Sequence, residues 1–228
     1  MKEITFQGLE FVEEAIKVFT SDLPVFAFEF SGVYGLMALN SIQGALALDR
    51  VKSRLPGKYY GSFLGDFNSF FQVTHPCKVE DCKKMISLFE GSFLRVPVYC
   101  KKNETYVIHE GQHQFLIETE STREVIFKLE IELKKRFPNS DFFVSNYQSP
   151  LCTSANESGD LSGGIQDREE ALEFAFKKKI ALFVHTGLHQ KDSGSYPVFT
   201  MLNNQIQIVR NGPHDEEISR KVNEYLSN

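Results

Sequence analysis

Two residue periodicities alternate along this chain with no long break between them, which restricts it to mixed folds. Over residues 8–20, Leu9, Val12, Ala15, Ile16 and Phe19 recur at helical spacing. Ser21-Asp22-Leu23-Pro24 ends that pattern. The next six residues, 25–30, read Val-Phe-Ala-Phe-Glu-Phe, a run suited to a buried strand. A turn at Ser31-Gly32 leads into Val33-Tyr34-Gly35-Leu36. Asn40 or Ser41 can cap a second helix ending near Val51, and Leu55-Pro56-Gly57 stops it. Further strands are expected over 59–64, 92–100, 105–108 and 114–118, with helical spacing over 80–89. The clearest amphipathic helix covers 121–136, carrying Val125, Ile126, Leu129, Ile131 and Leu133. After a loop-rich stretch, 139–164, come a helix over 167–178 and a strand over 180–185. A hairpin pairs 198–202 with 205–210 around Asn203-Asn204, and a helix follows over 215–226. The class is therefore α/β or α+β.

The chain has 228 residues, 42% hydrophobic and 24% charged, enough apolar surface to fold without disulfides or a structural metal. No linker rich in Pro, Gly and Ser divides it, so a single domain over 1–228 is expected. Twenty-one Phe and no Trp describe how the core is filled, not what it does. Four Cys, none in a C-x-x-C pair, make no zinc or disulfide framework. The first seven residues lack the basic start and apolar core of a secretory signal, and no apolar run reaches membrane-spanning length. A cytoplasmic protein with free thiols is the expectation. The formal net charge of −5 argues against a dedicated nucleic-acid binder. The clusters Lys134-Lys135-Arg136 and Lys177-Lys178-Lys179 read as solvated helix faces.

Several catalytic patterns can be weighed. His109-Glu110-Gly111-Gln112-His113 fits H-E-x-x-H, which binds zinc only when a helical turn aims both His the same way. Here Gly111 interrupts the motif and both flanks read as strands, so a hairpin turning near Glu110-Gly111 is expected, without bound zinc. No G-x-S-x-G elbow supports a Ser-His-Asp hydrolase. Cys152 suits a small apolar role better than that of a nucleophile. Neither G-x-x-x-x-G-K-[ST] nor G-x-G-x-x-G after a strand occurs, and Ser162-Gly163-Gly164 is too short to replace them.

Two segments remain. Lys52-Ser53-Arg54, with Lys58 beyond, places three cations past a helix end, where they satisfy the helix dipole. Residues 152–159, Cys-Thr-Ser-Ala-Asn-Glu-Ser-Gly, form a dense set of hydroxyls and amides that a capped loop would also explain. Together the two supply cations and neutral donors of the kind a polyphosphate or carboxylate site requires.

On these residues the sequence resembles the YrdC-type threonylcarbamoyl-adenylate synthases. The family tetrad K-x-R … S-x-N is matched by Lys52-x-Arg54 and Ser154-x-Asn156. Gly32-Val33-Tyr34-Gly35-Leu36 resembles its T-V-Y-G-L, and Lys58 falls on its next lysine. Arg136-Phe137-Pro138 resembles R-x-P, and Val209-Arg210-Asn211-Gly212 resembles its terminal L-R-x-G. The most specific match sets residues 150–159 beside P-L-x-x-T-S-A-N-x-S-G. There are departures. Glu29-Phe30-Ser31-Gly32 stands where the family has P-T-[DE]-T, with two hydroxyls lost, and Tyr196-Pro197-Val198 stands in place of S-T-V, with Ser195 one place early. The mid-chain P-G-P-x-T segment is missing.

The resemblance implies a twisted open mixed sheet flanked by helices, with a concave ligand-binding face. It implies a nucleotidyltransferase that joins L-threonine, bicarbonate and ATP into threonylcarbamoyl-AMP and pyrophosphate, supporting threonylcarbamoyladenosine modification of tRNA. Catalysis would fall to Lys52, Arg54, Ser154 and Asn156, phosphate binding to Lys58, Thr153 and Arg210, and the amino-acid side to Tyr34 and Arg136. Mg²⁺ would accompany ATP, held mainly through phosphates. The alternative is a divergent module of the same fold that binds double-stranded RNA, tRNA or nucleotide without synthesis.

Overall fold

The computed structural model describes residues 1–6, 8–54, 58–74, 79–137, 147–159, 163–189, 194–202 and 205–227. In chain order the elements are β1 (Lys2–Thr5), α1 (Gly8–Phe19), β2 (Val25–Glu29), β3 (Tyr34–Ala38), α2 (Ile42–Lys52) and β4 (Gly61–Phe63). Then come α3 (Phe67–Val73), α4 (Val79–Ser87), β5 (Ser92–Pro97), β6 (Ile108–His109), β7 (Gln112–Ile117) and α5 (Glu120–Arg136). The last are β8 (Leu151–Ser154), α6 (Arg168–Lys177), β9 (Leu182–His185), β10 (Val198–Leu202), β11 (Gln205–Arg210) and α7 (Asp215–Leu226).

Among the described residues the strands form one mixed sheet in the order β1-β9-β2-β3-β8-β4-β7-β5-β10-β11, with β6 paired to β7. β9 runs parallel to both β1 and β2, and β5 parallel to β10, while β3 and β8 pair antiparallel at the centre. The run 25–30 is hydrophobic at nearly every position because β2 is buried on both faces. One face packs on α1 and α5 through Phe11, Phe26, Phe28, Met37, Ile126 and Leu129. The opposite face packs on the remaining helices, with Leu48, Phe70, Ile86, Ala171 and Val222 against Leu36, Phe115 and Phe199. Ser41 caps α2 by accepting from the Gly44 amide at 3.0 Å, as the cap position predicts.

Three local expectations need correction. Residues 105–107 are not a strand. The Thr105 hydroxyl accepts from the amides of Val107 and Ile108, both at 3.2 Å, and this local turn replaces ladder bonds. The stretch expected to be loop-rich contains β8, central in the sheet, and β1 and α3 carry no periodic signal strong enough to announce them. The turn at Asn203-Asn204, the Leu55-Pro56-Gly57 stop and Pro138 lie outside the described residues. The H-E-x-x-H residues do form a hairpin, with Glu110 and Gly111 at φ 50° and 71°. His113 points into the core while His109 stacks on Tyr59 at the surface, 4.3 Å between rings.

Candidate functional site

The sheet brings the two unexplained segments together. The C-terminus of α2 delivers Lys52. Ser53 then takes the left-handed conformation at φ 50°, and the Arg54 amide bonds back to Asp49 O at 3.0 Å. That turn folds Arg54 over the Tyr60 ring, 4.0 Å from its centre. Arg54 Nη2 donates to Tyr59 O at 2.8 Å. Strand β8, held between β3 and β4, delivers Thr153 and Ser154 to the same place, with Asn156 in the loop just beyond. Strand β11 contributes Arg210, whose Nη2 donates to Tyr196 O at 2.6 Å. These residues line one cleft of 460 Å³, which also includes Lys58.

Lys52 is only 2% exposed. Its ammonium donates to Asn156 O at 2.8 Å, to Asn156 Oδ1 at 3.0 Å and to Ser154 O. Ser154 Oγ in turn donates to Asn156 Oδ1 at 2.5 Å, and Ser158 N donates to Lys52 O at 2.8 Å. Three members of the tetrad, Lys52, Ser154 and Asn156, are thus a connected unit in which lysine shapes the loop that carries the other two, while Arg54 is held separately on Tyr59 and Tyr60. Burial, reinforced by the neighbouring charges of Arg54 and Lys58, pulls the Lys52 ammonium down to about 7. A bound anion would restore its charge.

Seven of the nine residues expected at a site therefore share this cleft: Lys52, Arg54, Lys58, Thr153, Ser154, Asn156 and Arg210. The other two lie elsewhere. Tyr34 is buried between Phe183 and His189, its hydroxyl 3.4 Å from Glu29 Oε1, and burial pushes that hydroxyl up to about 12. Arg136 faces a separate cavity of 710 Å³ with Phe137, Asn40 and Arg50, and pairs with Glu132 at 3.9 Å.

The sequence reading did not anticipate the deep end of the cleft, where Phe30, Phe93, Leu116, Cys152 and the Tyr196 ring meet. Tyr196 OH donates to Glu118, a carboxylate 1% exposed, and accepts from the Gly32 amide at 3.0 Å. Ser31 Oγ donates to Glu118 Oε2 at 3.0 Å. Ser31 and Tyr196, two positions of departure from the family motifs, thus share one hydrogen-bonded group. Its third member, Glu118, belongs to no motif.

Among the described residues that line the cleft, Glu157 is the one acidic side chain, and it pairs with Lys178. Among the described residues no three His, Cys, Asp or Glu side chains gather as a metal cluster. This donor set fits a cation that arrives already bound to phosphates rather than one caged by carboxylates.

No family model matches the sequence, and no curated protein does. Solved structures match its fold. Sua5 from P. abyssi, complexed with L-threonine, is 17% identical, with 97% of this chain and 61% of that one covered at a TM-score of 0.68. This chain thus spans about three fifths of the Sua5 chain. E. coli YciO is 12% identical, with 95% and 97% covered, at 0.66. A full-length HypF in its phosphate- and nucleotide-bound form is 17% identical over 90% of this chain and 24% of that one, at 0.58. Sua5 and YciO are YrdC-like, and the fold described here is theirs: a large twisted mixed sheet flanked by helices, as the resemblance implied. Among the described residues no helix is long and apolar enough to cross a membrane.

Proposed function

We propose that this chain binds ATP in the cleft and transfers its adenylyl group to a carbamate made from an amino acid and bicarbonate, as threonylcarbamoyl-AMP synthases do. The observation that carries this reading is the convergence of Lys52, Arg54, Lys58 and Arg210 with Ser154 and Asn156 in one cleft of an otherwise acidic chain. The binding of L-threonine by Sua5 and of nucleotide by HypF supports it from proteins of the same fold.

The amine and bicarbonate condense to a carbamate and water. A carbamate oxygen attacks the α-phosphorus, the bond to the β-phosphate oxygen breaks, and pyrophosphate leaves with the electron pair. The nucleophile belongs to the substrate, so no Ser or Cys has to attack. The protein's work is to hold two anions in line and to bear the charge that builds on the leaving group. Arg54, its guanidinium fixed over Tyr60, suits paired phosphate oxygens, and Lys58 and Arg210 supply further charge at the mouth. Lys52 adds its charge from below and holds the loop of Ser154 and Asn156 in position. Magnesium carried on the ATP phosphates would supply charge neutralisation.

The test is pyrophosphate release from ATP with bicarbonate, comparing L-threonine, L-serine and no amino acid. Amino-acid-dependent release that disappears in Lys52→Ala or Arg54→Ala is the expected outcome; full activity in either variant overturns the reading. A second reading, nucleotide or RNA binding without synthesis and with tRNA or double-stranded RNA as partner, is favoured by one feature. The cleft runs on into a groove of 470 Å³ that shares Arg54, Lys58 and Arg210 and adds Arg95 and His109. Nucleotide or RNA binding without pyrophosphate release would select it.

A further inference from the structure

We infer that the deep end of the cleft is an apolar subsite, and that the amino acid it accepts carries a hydrocarbon side chain rather than the hydroxyl of threonine. The inference rests on the nucleotide reading above and specifies the second substrate.

The cleft is polarised. Its outer end, shared with the adjoining groove, holds Arg54, Lys58 and Arg210. Its inner end is continuous with the core that packs on α1 and α5, through Phe30, Val33, Phe93, Leu116, Cys152 and Tyr196. All six are at least nine-tenths buried, so their packing is already set. The Phe30 ring stacks on Phe63 at 6.1 Å and meets the Tyr196 ring edge-on at 6.4 Å, and Phe93 meets Tyr196 edge-on at 6.1 Å. Phe30 lies so close above Gly35 that a Cβ there would sit 2.0 Å from its Cε2. The ring therefore fills space over Gly35 that a smaller side chain at position 30 would leave open.

Polar groups near this end are engaged with one another. Ser31, Glu118, Tyr196 OH and the Gly32 amide form one hydrogen-bonded set, with the Tyr196 ring presented to the cleft. Burial holds the Cys152 thiol well above its usual range, so it remains a neutral wall. Outside that set, Ser154 and Ser195 both lie beside Gly164, next to Val33, and the Ser154 hydroxyl is already donated to Asn156. A ligand anchored by its anionic groups on Arg54, Lys58 and Arg210 would direct its far end into hydrocarbon. A hydroxyl placed there loses water without an assured partner, whereas a methyl loses nothing.

L-valine and L-threonine have the same shape and differ by one methyl-for-hydroxyl exchange, so they isolate this property. The protein is saturated with a non-hydrolysable ATP analogue and titrated with each amino acid by calorimetry, and pyrophosphate release is then compared with ATP. The expected result is a valine Kd roughly tenfold or more below that of threonine, the size of discrimination such a pocket achieves. Phe30→Thr should narrow or reverse that ratio. Tyr196→Phe, which keeps the ring, should preserve it. Should Phe30→Thr fail to fold, the wild-type ratio still decides. Threonine binding as tightly as valine, or tighter, overturns the inference, as does nucleotide binding with no response to either amino acid. That second result leaves the nucleotide reading standing. Absence of nucleotide binding removes both.

Discussion

Two of the buried ionisable side chains, Lys52 and Glu130, lie in opposite settings. Lys52 lies beneath an open cleft, its ammonium surrounded by carbonyl and amide oxygens and by other cations. Glu130, on α5, is sealed in the core. Its Oε1 accepts from the Gly65 amide at 3.0 Å and from the Ser149 hydroxyl, and Oε2 has no hydrogen-bond partner among the described residues. Ser149 leads on to Tyr147, which shares the Ser62 hydroxyl at 2.9 Å with His113, 2.7 Å away on the other side. His113 Nδ1 donates to Val107 O at 2.8 Å, and burial pulls the ring down to about 4, so it is neutral. Burial likewise pushes the Glu130 carboxyl up to about 8. Both sites disfavour charge. Only Lys52 faces a space where an incoming anion could reverse that preference. Glu130 ties the ends of β4 and β8 to α5 as a neutral acid, whereas under the proposed function Lys52 holds a charge in reserve for a ligand.

The contrast can be broken most forcefully at Glu130. Near pH 5, where the protonated carboxyl costs the fold little, Glu130→Ala leaves the Gly65 amide and the Ser149 hydroxyl without their acceptor and opens a cavity, a loss of about 3 kcal/mol. Urea unfolding should show the midpoint falling with an unchanged slope, and nucleotide affinity measured well below the new midpoint should hold. Next in size is Lys52→Met, which keeps the stem and deletes the charge. Nucleotide affinity should fall roughly a hundredfold, about 2.7 kcal/mol, while stability changes much less than in Glu130→Ala. Equal losses of stability in the two variants would erase the distinction between them.

The pH dependence of stability sharpens the comparison, because the two groups act with opposite sign. The Glu130 pKa is raised from 4.5 to about 8, so its contribution is complete below pH 4.5 and is lost as pH rises toward 8. The slope from this one group is at most about 1.4 kcal/mol per pH unit. Lys52, lowered from 10.5 to about 7, contributes above pH 10.5 and loses that contribution as pH falls to 7. Between pH 7 and 8 the two slopes oppose each other. Glu130→Gln should cost under about 1 kcal/mol near pH 4, gain on the wild type as pH rises to neutrality, and flatten the decline between pH 5 and 7. An unaltered pH profile in that variant would mean that Glu130 is ionised in the fold. The smallest expected signal is uptake of up to one proton when nucleotide binds near pH 7.5, read by calorimetry in two buffers of different ionisation enthalpy. No uptake would mean that Lys52 is already charged in the empty cleft.

Much of the fold was legible because its signals are local. The spacing over 121–136 foretells α5 to within one residue, and the hairpin over 198–210 and the last helix match β10, β11 and α7 at their boundaries. What escaped was set at long range. Leu151–Ser154 is too short and too rich in hydroxyl residues to read as a strand, and it becomes one because β3 and β4 supply partners on both sides. Lys52, Arg54, Ser154 and Asn156 were legible as candidates through a motif pattern, not through periodicity. Glu118 was not, since a lone glutamate after a strand carries no signal until the fold sets Tyr196 and Ser31 beside it. Tyr34 shows the converse: its motif position is matched while its side chain serves the core.

The strand order carries one more consequence, for how the chain becomes functional. Arg54, Ser154 and Arg210 come from widely separated parts of the sequence, on elements whose neighbours in the sheet are seldom neighbours in the chain. Fold topologies dominated by such distant pairings assemble slowly. Because β11 adds Arg210 only after α2 and β8 have been made, no fragment that stops short of residue 210 holds the full set of cations. Ligand capture should thus be among the last properties acquired during folding, appearing in refolding experiments with the slowest phase rather than with the first collapse.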